Sequence, residues 1–290
     1  MTLRCRQIEE ADLPAIAVLL ARGFRKRSSK FWGRALEHLS RNEPPPSFPK
    51  YGYVIDSDGA LVGVLLVICS KIGNDVRCNL SSWYVEPKFR VYAPLLDRFA
   101  HLCGAEMFLN VTPDHHTFPT IEAQGFMRYS NGVYVALPLL SKRVADATIV
   151  DVTDPLPKAY YPGDTPELPI NYDPGDMKLL LDHFSFGCIC IWCIDASGNA
   201  YPFVFRRRVV EHIIPCVQLI YCRDIADLVR FAVPIGQFLA WRGSFAVLVD
   251  ANGPLPLAGR YFNQKMQKYF KGEKPRLGDL AYTEIAMFGV

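Results

Sequence analysis

The chain has 290 residues, 50% hydrophobic and 21% charged, with a formal net charge of +3. That composition can bury a substantial core, which excludes a disordered chain, and so small a charge does not by itself point to nucleic acid. The longest apolar stretch, ALVGVLLVIC at 60–69, falls far short of the roughly 20 residues of a membrane helix, and the opening MTLRCRQIEEADLP puts acidic residues where a signal peptide keeps its apolar core.

In chain order, TLRCRQI (2–8) reads as a strand, EEADLPAIAVLLARGF (9–24) as a helix with one apolar face, and SKFWGRALEHLSRN (29–42) as a second amphipathic helix stopped by Pro44-Pro45-Pro46. YGYVIDSDGALVGVLLVICSK (51–71) is two strands around an Asp-Ser-Asp-Gly turn, a hairpin signal. VRCNLSSWYV (76–85) is a strand, VYAPLLDRFAHLCG (91–104) a helix, EMFLNVT (106–112) a strand, HHTFPTIEAQGF (115–126) a short helix and GVYVALPLL (132–140) a strand. The pattern is mixed α/β. Residues 151–175 are crowded with proline, aspartate and glycine and form the natural linker of the chain.

Beyond the linker the pattern returns. DMKLLLDHFS (176–185) is a helix, and CICIWCIDASGNAYPFVFRRR (188–208) is again strand, turn, strand. Ile55-Asp56 and Gly59 correspond to Ile194-Asp195 and Gly198, Cys78 to Cys216 and Pro94 to Pro234, while EMFLNV (106–111) meets SFAVLV (244–249). Shared order, turn and helix proline point to an internal duplication. The expected organisation is a first domain over 1–142, a proline-rich linker over 143–175 with room for the next domain's first strand, and a second, degenerate domain over 176–290.

The first half resembles the GCN5-related N-acetyltransferase superfamily. The resemblance covers about residues 2–140. It rests on RQIEEADLPAIAVLL (6–20), on Val85-Glu86-Pro87-Lys88-Phe89-Arg90 leaving the fourth strand, and on the helix stop IEAQGF (121–126). It implies an α/β fold of two tandem acyl-CoA N-acyltransferase-like domains. The fourth strand would splay from the fifth to admit acetyl-CoA or another acyl-CoA as co-substrate. It further implies that the backbone of Val85 faces the thioester, and that Arg90, Val91, Tyr92, Ala93 and Leu95 form the pyrophosphate loop at a helix start. Ala93 and Leu95 replace the family's loop glycines, and Ile121 stands where many members carry a tyrosine. By the same resemblance the first half is the active one.

Catalytic candidates are Ser82 and Tyr84 on the fourth strand and His115 at the rim of the cleft, the last able to titrate near neutrality. Asp114 is expected to cap the helix that follows it. Cys188, Cys190 and Cys193 alternate along a strand and read as buried thiols, so no metal is assigned. Nine cysteines, mostly inside apolar segments, read as free thiols of a reducing compartment, hence the cytoplasm. Arg206-Arg207-Arg208 put at most two guanidinium groups on one strand face, able to clamp a phosphate or carboxylate, and read as a solvated strand end. YFNQKMQKYFKGEKPRLGD (261–279) reads as an amphipathic helix with Lys265 and Lys268 on one face. The function expected is transfer of an acyl group from acyl-CoA to a small-molecule or protein amine, with neither membrane nor nucleic acid as partner. A silent binding protein of the same fold and a transferase using aminoacyl-tRNA are the alternatives.

Overall fold

The computed structural model describes residues 2–73, 75–152, 158–159, 172–210 and 214–289. β1 (Leu3–Gln7) leads through a 3-10 turn into α1 (Leu13–Gly23), followed by α2 (Ser29–Ser40). Pro14 sits in the first turn of α1, where a missing amide costs no hydrogen bond, and Ser28 caps α2 by accepting the Phe31 N–H at 3.2 Å. β2 (Gly52–Ser57) and β3 (Ala60–Ile72) form the expected hairpin. Asp58 and Gly59 take φ values of 51° and 88°, the hand that matches the twist of the flanking strands. β4 (Asp75–Val85), a 3-10 segment Pro87–Tyr92, α3 (Ala93–His101), β5 (Met107–Asn110), α4 (Phe118–Ala123) and β6 (Met127–Ala136) complete the first half.

β7 (Thr148–Asp151) and the two-residue β8 (Lys158–Ala159) lie within the stretch read as linker; residues 153–157 and 160–171 of it are outside the described residues. Then come α5 (Pro174–Ser185), β9 (Ile189–Ile194), β10 (Ala200–Val210), β11 (Ile214–Cys222), α6 (Ile225–Arg230), α7 (Ala232–Trp241), β12 (Ala246–Ala251), β13 (Gly259–Gly272) and α8 (Glu284–Phe288).

The strands form one 13-stranded sheet in the order β1-β2-β3-β4-β5-β13-β6-β12-β11-β10-β9-β7-β8. Its two wings match. β4 pairs with β5 in parallel, Cys78 opposite Phe108, and β11 pairs with β12 in parallel, Cys216 opposite Ala246. These are the positions that the internal repeat equates. The centre is reciprocal: β13, from the second half of the chain, lies against β5 of the first, while β6 from the first lies against β12 of the second. α1 and α2 cover one face of the first wing, with Ile16, Leu20, Trp32 and Leu39 in its core, and α3 covers the other with Leu96 and Ala100.

Two sequence expectations are corrected here. The segment at 261–279 is not an amphipathic helix, because its first part is the strand β13. Tyr269 and Phe270 enter cores on opposite faces of the sheet, as alternation along a strand demands. Pairing with two distant strands overrides local helical spacing. Lys265 and Lys268 therefore share no helix face, and Lys268 is fully buried, donating to Asp250 at 2.6 Å. The second correction concerns the thiols. Cys69 and Cys78 are joined as a disulfide, their Cα atoms 4.2 Å apart, because register sets them directly opposite each other on β3 and β4. The other seven cysteines lie outside any disulfide. No helix among the described residues is long and apolar enough to cross a membrane.

Candidate active site

The first wing opens where β4 and β5 part. The two strands pair only over Arg77–Asn79 and Met107–Leu109, yet β4 runs on to Val85. The register of β4 against β3 slips between Leu66–Ser81 and Val64–Tyr84, and Ser82 at the slip has a φ of 53°. This is a bulge, which bends its strand away from a neighbour. The Glu86 N–H donates to the Val62 carbonyl on β3 at 2.9 Å. Amides alternate in direction along an antiparallel strand, so the preceding N–H, that of Val85, points away from β3 and into the gap.

The bulge also sets the side chains. Arg77, Asn79, Ser81 and Tyr84 lie on the α1–α2 face, and Leu80 and Val85 join the core under α3. Ser82 is half-exposed, its hydroxyl 3.0 Å from that of Ser81. Tyr84 packs over Gly23, where an added Cβ would lie 2.4 Å from its ring. His115 does not join this group. It is 89% exposed, beside His116, which also faces solvent.

Asp114 does not cap its turn. Its carboxylate lies 3.0 and 2.9 Å from the Nδ1 atoms of His115 and His116, so the expected N-cap oxygen is already engaged. Of the cysteine triplet, Cys188 and Cys190 face one core and Cys193 another, so no common metal could touch all three.

Beyond β4 the loop folds as the 3-10 segment Pro87–Tyr92. Its amides are spent inside it: Phe89 donates to the Glu86 carbonyl and Ala93 to the Arg90 carbonyl. Arg90 and Val91 are exposed, Tyr92, Ala93 and Leu95 half-buried. The loop thus presents the exposed Arg90 side chain rather than the row of free amides that the resemblance implies.

One group at the gap has no local sequence signal. The strip from Gly278 to α8 crosses under the sheet, and Glu284 at its end accepts from Asn79 Nδ2 on β4 and, at 2.5 Å, from Thr112 Oγ1 just past β5. Its carboxylate thus bridges the two diverging strands. Burial raises its pKa, against the opposing hydrogen bonds from Thr112 and Asn79. The strip is fixed by Arg77, which meets Asp279 at 3.2 Å, and by His183, which accepts the Tyr282 N–H at 3.1 Å. All these partners lie 99 or more residues away in sequence, so only the fold brings them together.

No protein-family model matches the sequence, and no curated protein matches it. Solved structures do. A GCN5-related N-acetyltransferase from Anabaena variabilis superposes with a TM-score of 0.59 at 8% identity, over 93% of this chain and 73% of that one. A protein from Pyrococcus horikoshii, described as an acetyltransferase, gives 0.56 at 9% identity over 97% and 92%. The GCN5-related glucosamine N-acetyltransferase region of a fungal multi-domain β-N-acetylglucosaminidase gives 0.58 at 13% identity over 93% of this chain and 38% of that one. This is the GCN5-related N-acetyltransferase fold. A fourth strand splaying from the fifth is what the sequence resemblance led us to expect; the bulge at Ser82 that accompanies it was not foreseen.

Proposed function

We propose that the chain is an acyl-CoA-dependent N-acyltransferase working in the gap between β4 and β5, with acetyl-CoA or another acyl-CoA as co-substrate and a small-molecule or protein amine as acceptor. The observation that carries this reading is the bulge at Ser82, which turns the Val85 N–H into the gap. The co-substrate supplies an acyl group activated as a thioester. Val85 N–H donates to the carbonyl oxygen as negative charge gathers there. Glu284, buried where β4 and β5 begin to part and held by Asn79 and Thr112, takes the proton that the amine sheds on attacking the carbonyl carbon. The carbon–sulfur bond then breaks, and the departing thiolate takes a proton relayed from water through the Ser81–Ser82 hydroxyl pair, which regains one from the same water. Arg90 meets the pyrophosphate.

A silent binding protein is the second reading, favoured by the engaged amides of Phe89 and Ala93. Titration of acetyl-CoA and longer acyl-CoAs by calorimetry and thermal shift separates the two. We expect saturable binding, weakened by Arg90→Ala and Leu95→Glu, with about 2.7 kcal/mol of added stability at 100 times the dissociation constant. Binding without turnover on any amine would favour the silent reading, and no binding would end the transferase reading.

A further inference from the structure

The Cys69–Cys78 disulfide is shut away from water. Cys69 is 1% exposed and Cys78 0%, and both lie in the core under α3. The hairpin end whose fraying would uncover them is pinned: Arg77, beside Cys78, donates to the Ala281 carbonyl at 2.5 Å and meets Asp279 at 3.2 Å. Exchange needs a thiolate to reach one of the two sulfurs. In the folded chain a small thiol in water reaches neither.

A third sulfur bridges that distance. Cys103 stands in the turn after α3, its N–H donating to the Ala100 carbonyl at 3.4 Å, and its Sγ is 3.9 Å from that of Cys78. It packs against the same core, yet it is only half-buried, between the exposed Leu102 and Gly104. Of the nine cysteines, Cys103 and Cys5 are the two that are not buried. Cys5 lies on β1 opposite Ile55 and forms no hydrogen bond with another sulfur among the described residues. Cys103 alone therefore touches both the solvent and the buried pair.

We propose that Cys103 is the port through which the buried disulfide is made and broken, and that it is a site of S-thiolation by a low-molecular-weight thiol of the glutathione kind. In the reduced chain the Cys103 thiolate attacks a small disulfide, a mixed disulfide forms and one small thiolate leaves. The Cys78 thiolate then attacks the Cys103 sulfur and expels the second small thiolate, leaving Cys78–Cys103. Last, the Cys69 thiolate attacks the Cys78 sulfur, Cys69–Cys78 forms and Cys103 departs. Each attacking thiol gives up one proton and each departing thiolate takes one, so the Cys69–Cys78 pair is oxidised and the small disulfide reduced. Reduction runs the same steps backwards. Burial raises the Cys103 pKa, so thiolate is scarce and exchange takes minutes to hours. The relay stands whether or not the chain transfers acyl groups. Its intermediate changes what is tied: the link from β3 to β4 becomes a link from β4 to the turn after α3, made at the residue before Asn79, which holds Glu284.

The test takes the full chain, reduced and freed of reductant without denaturant, and exposes it to glutathione disulfide. Samples are quenched in acid at intervals and read by peptide mass mapping. We expect the first adduct on Cys103, then a Cys78–Cys103 bond, then Cys69–Cys78. Cys103→Ser slows formation of Cys69–Cys78, and its reduction by glutathione, by at least about tenfold, while Cys5→Ser leaves both rates unchanged. Cys69→Ser stops at Cys78–Cys103. A first adduct on Cys69 or Cys78, no adduct at all, equal rates in Cys103→Ser, or a lasting Cys103 adduct in Cys69→Ser that never yields Cys78–Cys103 would overturn the proposal. Should Cys103→Ser not fold, the order of adducts in the parent protein still decides it.

Discussion

The gap after β4 and the gap after β11 occupy matching places in the two wings, and the chain treats them in opposite ways. β11 stops pairing with β12 at Gln218–Leu248, but its free edge is then taken up by the strip that precedes α8: Cys222 N–H donates to the Gly278 carbonyl at 3.0 Å and Leu280 N–H to the Ile220 carbonyl at 2.7 Å. Among the described residues no backbone hydrogen bond fills the β4 gap in this way. The helix starts differ too. After β11 the Asp224 carboxylate accepts the Ala226 N–H at 2.8 Å at the start of α6, occupying the position that an anion would take. After β4 no side-chain cap stands at the start of the matching 3-10 segment Pro87–Tyr92. A duplicated fold has thus kept one cleft available and sealed the other with its own backbone. The same strip that seals the second gap delivers Glu284 to the first.

This contrast can be broken at several points. The largest effect is expected at Glu284. On the transferase reading Glu284→Gln lowers kcat by about 10²- to 10⁴-fold with the co-substrate's affinity little changed. Because burial raises the Glu284 pKa, the parent's rate climbs with pH through a range above that of an ordinary carboxylate, and steady-state kinetics across pH should show that limb missing in the variant. Next comes the joint between the halves. Lys268 on β13 and Asp250 on β12 form an ion pair 0% and 3% exposed, and burial pushes Asp250 upward while Lys268 opposes it. Lys268→Met leaves that carboxylate uncompensated, at a cost of about 3–5 kcal/mol in urea unfolding, and Lys268→Met with Asp250→Leu recovers most of it.

The strip itself has a pH sensor. His183 is fully buried, donates to the Leu179 carbonyl and accepts from Tyr282, and burial lowers its pKa from 6.5 to about 4. The unfolded chain gains a proton below pH 6.5 that the folded chain refuses. Stability is therefore fully present above 6.5 and drains away as the pH falls toward 4, by about 3 kcal/mol. Unfolding curves across that window should show the slope, and His183→Gln should flatten it. The smallest effect belongs to the second helix start: Asp224→Ala removes one cap, about 1 kcal/mol, and leaves acyl-CoA binding unchanged.

What was legible in the sequence was local. The Asp-Ser-Asp-Gly turn and its counterpart around Asp195 and Gly198 announced both hairpins, because positive φ at Gly59 and Gly198 (88° and 80°) has a residue signature. Val85 and the proline that follows marked the end of β4. The rest depends on partners far away. Nothing around Ser82 advertises a left-handed residue, β13 reads as a helix until β5 and β6 are placed beside it, and Glu284 acquires meaning only against Asn79 and Thr112. The exposed loop with Asp114, His115 and His116 drew attention by residue type alone, and the fold left it outside the gap.

The reciprocal strands at the centre of the sheet carry a consequence for synthesis. When residues 1–142 have left the ribosome, β5 has no neighbour on one side, since its partner β13 is more than a hundred residues from being made. The first wing must wait with an unpaired edge, and an unpaired edge is a template for the wrong strand. The nascent chain is therefore most vulnerable to misassembly during translation of its second half, and both wings reach completion in a single late event, when residues 259–272 slide between β5 and β6.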